Sequence, residues 1–327
     1  MKKLLFSFAY LSLILCVSLS GQEARWWDGG VIGPLHYRFP VEIVNGPDVK
    51  EDFPVTIWID FTEKLIDIGE IGALDVGSIR VLSVTSDTTA YDETISNQFE
   101  PAPDFGTISR AKGWLSWIIS GRLEPNETIY YHIYFDLQNY GIRPEEVALP
   151  WEAICYNPAN IILGASIEPE AAVTDQSRSA WRGWGEGGSP LNTLSVENGH
   201  WGRWSMALIP GMNLIWEAQI GLLEPGERYL LGGYIRQGNG VGPGSVLRAT
   251  FVSGGARNAT FSKDLSLDRE AGWWREEIPL PAAPDTSLFA ITLEFIGSPP
   301  DTLWVDDLFI YQNPPSITLL PCERMPE

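Results

Sequence analysis

Histidine is nearly absent from this sequence. The 327 residues hold three, His36, His132 and His200, which disfavours zinc sites and histidine-based catalysis. Tyr131 and His132 are neighbours in an apolar run, as are His36 and Tyr37. Neighbours in a strand point to opposite faces, so both pairs read as structural. Cysteine is as rare. Cys16 lies in the apolar N-terminal stretch, which leaves Cys155 and Cys322 for the mature chain. In an oxidising compartment these two would be able to bridge, and two free thiols are the alternative. Basic residues are few, 22 against 42 acidic ones, for a net charge of −20. That balance repels nucleic acid and anionic lipid and weighs against polyanionic glycans. No Gly-x-Ser-x-Gly, His-Glu-x-x-His, P-loop or Cys-x-x-Cys motif occurs, so the sequence shows no recognisable hydrolase elbow, metalloprotease helix or phosphate cradle.

Long apolar runs are missing too, with one exception at the N-terminus. Lys2 and Lys3 precede an uncharged run from Leu4 to Val17, followed by the small residues Ser18 and Ser20. This is the layout of a cleavable export signal, residues 1–20, cut after Ser20. The run is shorter than the roughly 18–20 residues of a membrane span. Leu15 before Cys16 is large where lipoprotein processing wants a small residue. Cleavage leaves 307 residues with 20 basic and 42 acidic side chains, enough for two domains. The expected place is outside the cell, in the periplasm or at the cell surface, with no stable membrane insertion. Asn126-Glu127-Thr128 and Asn258-Ala259-Thr260 fit the N-glycosylation pattern, which matters in a eukaryotic source alone.

What is plentiful is Gly (32), Pro (24) and Trp (14), the composition of turns and strands. In residues 25–150, Tyr37 to Val44 alternates around Phe39, Val41 and Ile43, and Val55 to Phe61 puts every second apolar residue on one face. Ser78 to Val84, Trp114 to Ile119 and Thr128 to Phe135 are further β-rich runs, bounded by turn signals such as Asn45-Gly46-Pro47 and Glu124-Pro125-Asn126. A short helical turn fits within Glu63 to Leu74. This pattern predicts a β-sandwich domain over 25–150. Its strand order resembles small β-sandwich domains of bacterial surface proteins and glycan-degrading enzymes.

Residues 151–313 carry five landmarks in order. Asn157 to Glu168 ends in Ala165-Ser166-Ile167-Glu168, and a Trp-bearing loop follows at Ala180 to Trp184. Leu223-Glu224-Pro225-Gly226 makes a turn into the strand Tyr229 to Tyr234. Gly272-Trp273 runs to Pro281, and Trp304-Val305-Asp306-Asp307-Leu308 closes the set. In this order the segment resembles carbohydrate-binding modules of the family 4 and 9 type, a β-jelly roll of the galactose-binding-like class. The full expectation is an all-β protein: a signal peptide at 1–20, a β-sandwich at 25–150, a jelly roll at 151–313 and a tail at 314–327.

The resemblance implies a sugar site and a structural calcium. Sugar rings stack C–H faces on aromatic rings and need polar side chains for their hydroxyls. Trp181, Arg182 and Trp184, then Trp201, Arg203 and Trp204, with Gln237 beside them, fit that need. As a strand, Trp201 and Trp204 would face opposite sides. The other reading of each Trp is core packing, which Trp216, Trp273 and Trp304 fit best among β-rich apolar neighbours. In the family, calcium is often held by an acid of the opening motif and one of the closing strand, which points to Glu168 with Asp306 or Asp307. A hydrogen bond or salt bridge to these acids is the alternative, because a lone buried carboxylate is costly. The leading expectation is a non-catalytic protein that holds a neutral polysaccharide or oligosaccharide. A structural or adhesive protein of the cell envelope comes next, then a glycan hydrolase or lyase, which a cleft with close, pKa-shifted carboxylates would favour.

Overall fold

The structure, a computed structural model, describes residues 26–326 apart from 85–93, 146–147, 163–181, 185–193, 196–198, 204, 212, 219–223, 225, 239–243, 253–258, 268–271, 281–288 and 299–300. At 182–184, 194–195, 214–218, 251–252, 259–261 and 289–290 it describes the backbone. The export signal lies outside the described residues. No helix among the described residues is long and apolar enough to cross a membrane.

The first sandwich begins with β1 (Tyr37–Val44), β2 (Lys50–Asp60), the short helix α1 (Phe61–Asp67), β3 (Leu74–Val84), β4 (Asn97–Pro101), β5 (Lys112–Leu123) and β6 (Thr128–Leu137). The alternation read from the sequence is the alternation seen. Phe39, Val41 and Ile43 of β1 and Val55, Ile57 and Ile59 of β2 are buried in one core with Trp117. Phe61 opens α1 rather than ending β2, because the Asp60 side chain accepts from the Glu63 N–H at 2.9 Å and caps the helix. Phe39 and Tyr37 stack on Phe135 at 4.9 and 5.5 Å between ring centres, so aromatic packing carries much of this core.

After α2 (Trp151–Cys155) the second sandwich is built from β7 (Arg182–Trp184), β8 (Leu194–Ser195), β9 (Ser205–Leu208), β10 (Asn213–Ala218), β11 (Tyr229–Gln237), β12 (Val246–Val252), β13 (Ala259–Ser266), β14 (Trp273–Leu280), β15 (Phe289–Ile296) and β16 (Leu303–Gln312). They form two five-stranded antiparallel sheets, β13-β12-β15-β10-β7 and β14-β11-β16-β9-β8. Leu231, Ile278, Leu293, Val305 and Ile310 lie in the core between them. This is the all-β, two-layer architecture of a jelly roll. The expected Trp-bearing loop at Ala180 to Trp184 contains strand β7, which pairs Ile215 with Arg182 and Asn213 with Trp184.

The stretch expected as a tail is part of the first sandwich. It holds β17 (Ser316–Leu319) and β18 (Glu323–Arg324), and both pair with β1. The reason is edge protection: β1 pairs β6 on one side and would otherwise bare its other edge. Ile317 and Leu319 pack against the first core, and Cys322 is buried there. Cys155 and Cys322 are therefore free thiols in different surroundings. The first sheet reads β17-β1-β6-β3 with β18 also on β1, facing β2-β5-β4. Deleting residues 316–327 is expected to lower stability to urea by roughly 2–4 kcal/mol, from lost apolar burial. An unchanged midpoint and slope would contradict the pairing.

Candidate binding face

The two sandwiches meet through outer sheet faces, and the meeting point is set by a bulge in β16. Gly232 pairs with Phe309 and Tyr234 with Asp306, so β16 spends one residue more than β11 over this span. Asp307 takes φ 46, a left-handed conformation that Asp tolerates better than most residues. Leu308 is thereby turned into the core, and Asp306 and Asp307 both stay out of the apolar cluster. Gly232 is needed opposite: a Cβ there would lie 2.0 Å from the Phe309 ring. These local features explain why paired acids interrupt an apolar run.

The partner of both acids is His200. Its backbone N–H donates to Asp306 Oδ2 at 2.8 Å and its Nδ1 to Asp307 Oδ2 at 2.7 Å, while Nε2 donates to Glu100 on β4 of the first sandwich. The ring stacks on Tyr234 at 3.7 Å, and the side chain is 4 % exposed. Burial works against its charge, yet the hydrogen bonds to Asp307 and Glu100 outweigh burial and raise its pKa to about 9. For Asp306, burial and then the Asp307 charge push the carboxyl well above its usual range, opposed by the N–H groups of His200 and Asp307. Beside them Arg275 lies 4.4 Å from the Phe309 ring centre and 5.7 Å from Trp114 of the first sandwich. It donates to Glu277 Oε1 at 2.9 and 2.7 Å.

Beyond the seam the same outer face carries a row of rings. Arg236 of β11 pairs with Trp273 of β14 on one side and with Trp304 of β16 on the other. All three therefore project from one face of three adjacent strands. The guanidinium carbon of Arg236 sits 5.7 Å from the Trp304 ring centre. Trp201 lies next to the row, 4.7 Å from His200 and 5.2 Å from Tyr234. Trp201, Trp273, Arg236 and Trp304 are each partly exposed. Flat rings interleaved with a guanidinium suit a ligand with apolar C–H faces and many hydroxyls.

The structure sorts the expected site residues unevenly. Trp181, Trp204 and Glu168 lie outside the described residues. Arg182 and Trp184 are described as backbone of β7. Trp201 stands at the row, outside any strand, and Arg203 is exposed. Gln237 pairs with Leu303, a core residue, so the register places it on the other side of β11 from Arg236. Trp273 and Trp304, expected as packing, stand on the outer face. The signal was in the sequence: Trp273 and Trp274 are adjacent in a strand and must diverge, and Trp274 is the one packed on the core.

Of the acids expected to hold calcium, Glu168 lies outside the described residues, and Asp306 and Asp307 are bonded to protein donors. Asp306 Oδ1 accepts from the Asp307 N–H at 2.9 Å and Asp307 Oδ1 from the Cys155 thiol at 3.3 Å. With the His200 bonds, each of the four carboxylate oxygens accepts from one protein donor. Calcium needs six to eight oxygen ligands, and an imidazole and a thiol supply none. In this arrangement Asp306 and Asp307 are bonded to protein donors, and a calcium site would need Glu168 and further oxygens beside them. No group of three or more acids, histidines or cysteines able to hold a metal occurs among the described residues. Asp306 and Asp307 are 0 % and 3 % exposed, so this close pair is sealed from a sugar chain rather than lining a cleft.

No protein-family model matches the chain, and no curated protein matches it. The solved structures that match are mainly carbohydrate-binding modules. A family 61 module in complex with β-1,4-galactotriose is 18 % identical, with 47 % of this chain and 98 % of that chain covered and a TM-score of 0.33. A family 4 module is 16 % identical, with 46 % and 99 % covered and a TM-score of 0.34. A tandem of two family 22 modules from Paenibacillus barcinonensis Xyn10C is 13 % identical, with 86 % and 80 % covered and a TM-score of 0.33. Likenesses of this size assign no function to this chain.

The His200 bridge gives a pH dependence of definite sign. A pKa raised from 6.5 to about 9 means that the folded state holds a proton the unfolded state releases. The stabilisation is fully present below pH 6.5 and is lost as pH rises through about 9. The raised Asp306 carboxyl acts in the same direction. Urea-unfolding stability is expected to fall between these limits by up to ~1.4 kcal/mol per pH unit for each proton, and the fall should shrink in His200→Gln. A stability that rises over this range would contradict the bridge.

Proposed function

We propose that the chain binds a neutral polysaccharide or oligosaccharide on the row formed by Trp273, Arg236 and Trp304, with Trp201 at its side. The observation that carries this reading is the register. Two tryptophans flank an arginine on three neighbouring strands of one outer face, and all are partly exposed. Pyranose C–H faces stack on the indoles, and the guanidinium donates to hydroxyls. The net charge of −20 favours a neutral over an anionic glycan. Binding without catalysis is part of the proposal, since the close carboxyl pair is held in the seam. Export by residues 1–20 would place the protein where polysaccharides are met, outside the cell, in the periplasm or at its surface.

Affinity electrophoresis of the full chain in gels containing β-glucan, xylan or mannan tests this. Retardation by at least one of them is expected, with Trp273→Ala and Trp304→Ala each weakening it about tenfold or more, a loss of ~1.4 kcal/mol. Parallel gels with added calcium and with chelator read whether Glu168, Asp306 and Asp307 hold a cation on which binding depends. If a folded chain passes all three gels unretarded, the glycan reading fails and the adhesive reading takes its place.

A further inference from the structure

A cavity opens on the other side of Arg275, where neither sandwich alone would form it. Its volume is about 370 Å³, within the size range of small-ligand sites. One wall comes from the first sandwich. Trp58 and Trp114 face each other across β2 and β5, 5.1 Å between ring centres, and Thr56 is one step along the same face. The other wall is Arg275, Glu277 and Tyr311 of the second sandwich. Trp58 is 36 % exposed, an unusual position for the largest apolar side chain. Both bonds from Arg275 to Glu277 end on Oε1, which leaves Oε2 to accept a hydroxyl. The Arg275–Glu277 pair is neutral as a unit, so the cavity selects for an uncharged, hydroxyl-rich ligand over an ion.

We propose that this seam cavity is a second glycan subsite, in which a sugar ring stacks on Trp58 and donates a hydroxyl to Glu277. The proposal rests on the glycan reading above and adds a site built from both sandwiches. The row and the cavity lie on one continuous path of rings. Trp273 contacts His200 at 5.6 Å, His200 stacks on Tyr234, and Arg275 joins Tyr234 to Trp114. The two subsites are thus held at a fixed separation by a buried, bonded seam, the condition under which two weak sites on one polymer reinforce each other.

Isothermal titration of the full chain with cellohexaose, xylohexaose and mannohexaose, beside Trp58→Ala, Trp304→Ala and the double variant, tests this. Trp58 is a surface residue, and unchanged circular dichroism would show that its removal leaves the fold intact. For a hexasaccharide that binds, the expected stoichiometry is two per wild-type chain, one in each single variant and none in the double. One site in the wild type, untouched by Trp58→Ala, would overturn the second subsite and leave the row standing. Binding lost in Trp58→Ala but kept in Trp304→Ala would uphold the cavity and remove the row. No heat with any of the three in the wild type would overturn both.

Discussion

The arrangement of this molecule depends on one buried imidazole. His200 comes from the second sandwich, and its two ring nitrogens reach Asp307 of its own sheet and Glu100 of the other sandwich. Removing charged groups from water costs several kcal/mol each, and mutual attraction repays that only when the geometry satisfies the partners. Here the backbone N–H of the same residue also holds Asp306. Such a cluster adds little net stability over an apolar seam. What it adds is position, because a slip of one residue in either strand would leave buried carboxyls without donors. Phe53 against Tyr311 and Lys50 on the Gln312 carbonyl fix the same orientation further along.

That position decides which aromatic residues are covered. Tyr234, Phe309 and most of Arg275 disappear under the first sandwich, whereas Trp273, Trp304 and Trp201 remain at the surface on one side of the contact and Trp58 on the other. The charged groups of the bridge, His200, Asp306 and Asp307, are dry and locked, and the ring faces are wet and open. Hydrolysis of a glycan needs the reverse, with carboxyl groups at the open end. Under the proposed function, the rings hold the chain and the closed polar knot holds the two sandwiches in place.

Much of the fold was legible because burial follows simple periods. Val55, Ile57 and Ile59 alternate in the sequence and are buried in the structure, and a turn at Gly226 precedes β11 as expected. Strand β17 is not legible although Ile317 and Leu319 alternate as clearly, since a short segment after two prolines shows no sign of pairing with β1, some 270 residues earlier. The site was less legible. That paired acids inside a strand need partners is legible, but nothing in the sequence links Asp306 and Asp307 to His200 or Glu100. The scarcity of histidine argued against its importance, yet one histidine at a seam is enough. Trp58 and Trp114 read as ordinary strand residues, and only the meeting of two sheets turns them into a wall.

The central claim is that the exposed indoles, and not the buried ones, meet a sugar. Proton–nitrogen NMR of the indole N–H groups in the full chain, titrated with xylohexaose, cellohexaose or mannohexaose, reads each tryptophan separately once single variants assign the signals. The account expects the signals of Trp273 and Trp304 to move with a ligand, saturably, while that of Trp117, fully buried in the first core, stays still. Signals of Trp273 and Trp304 that stay fixed through saturating additions of all three would contradict it.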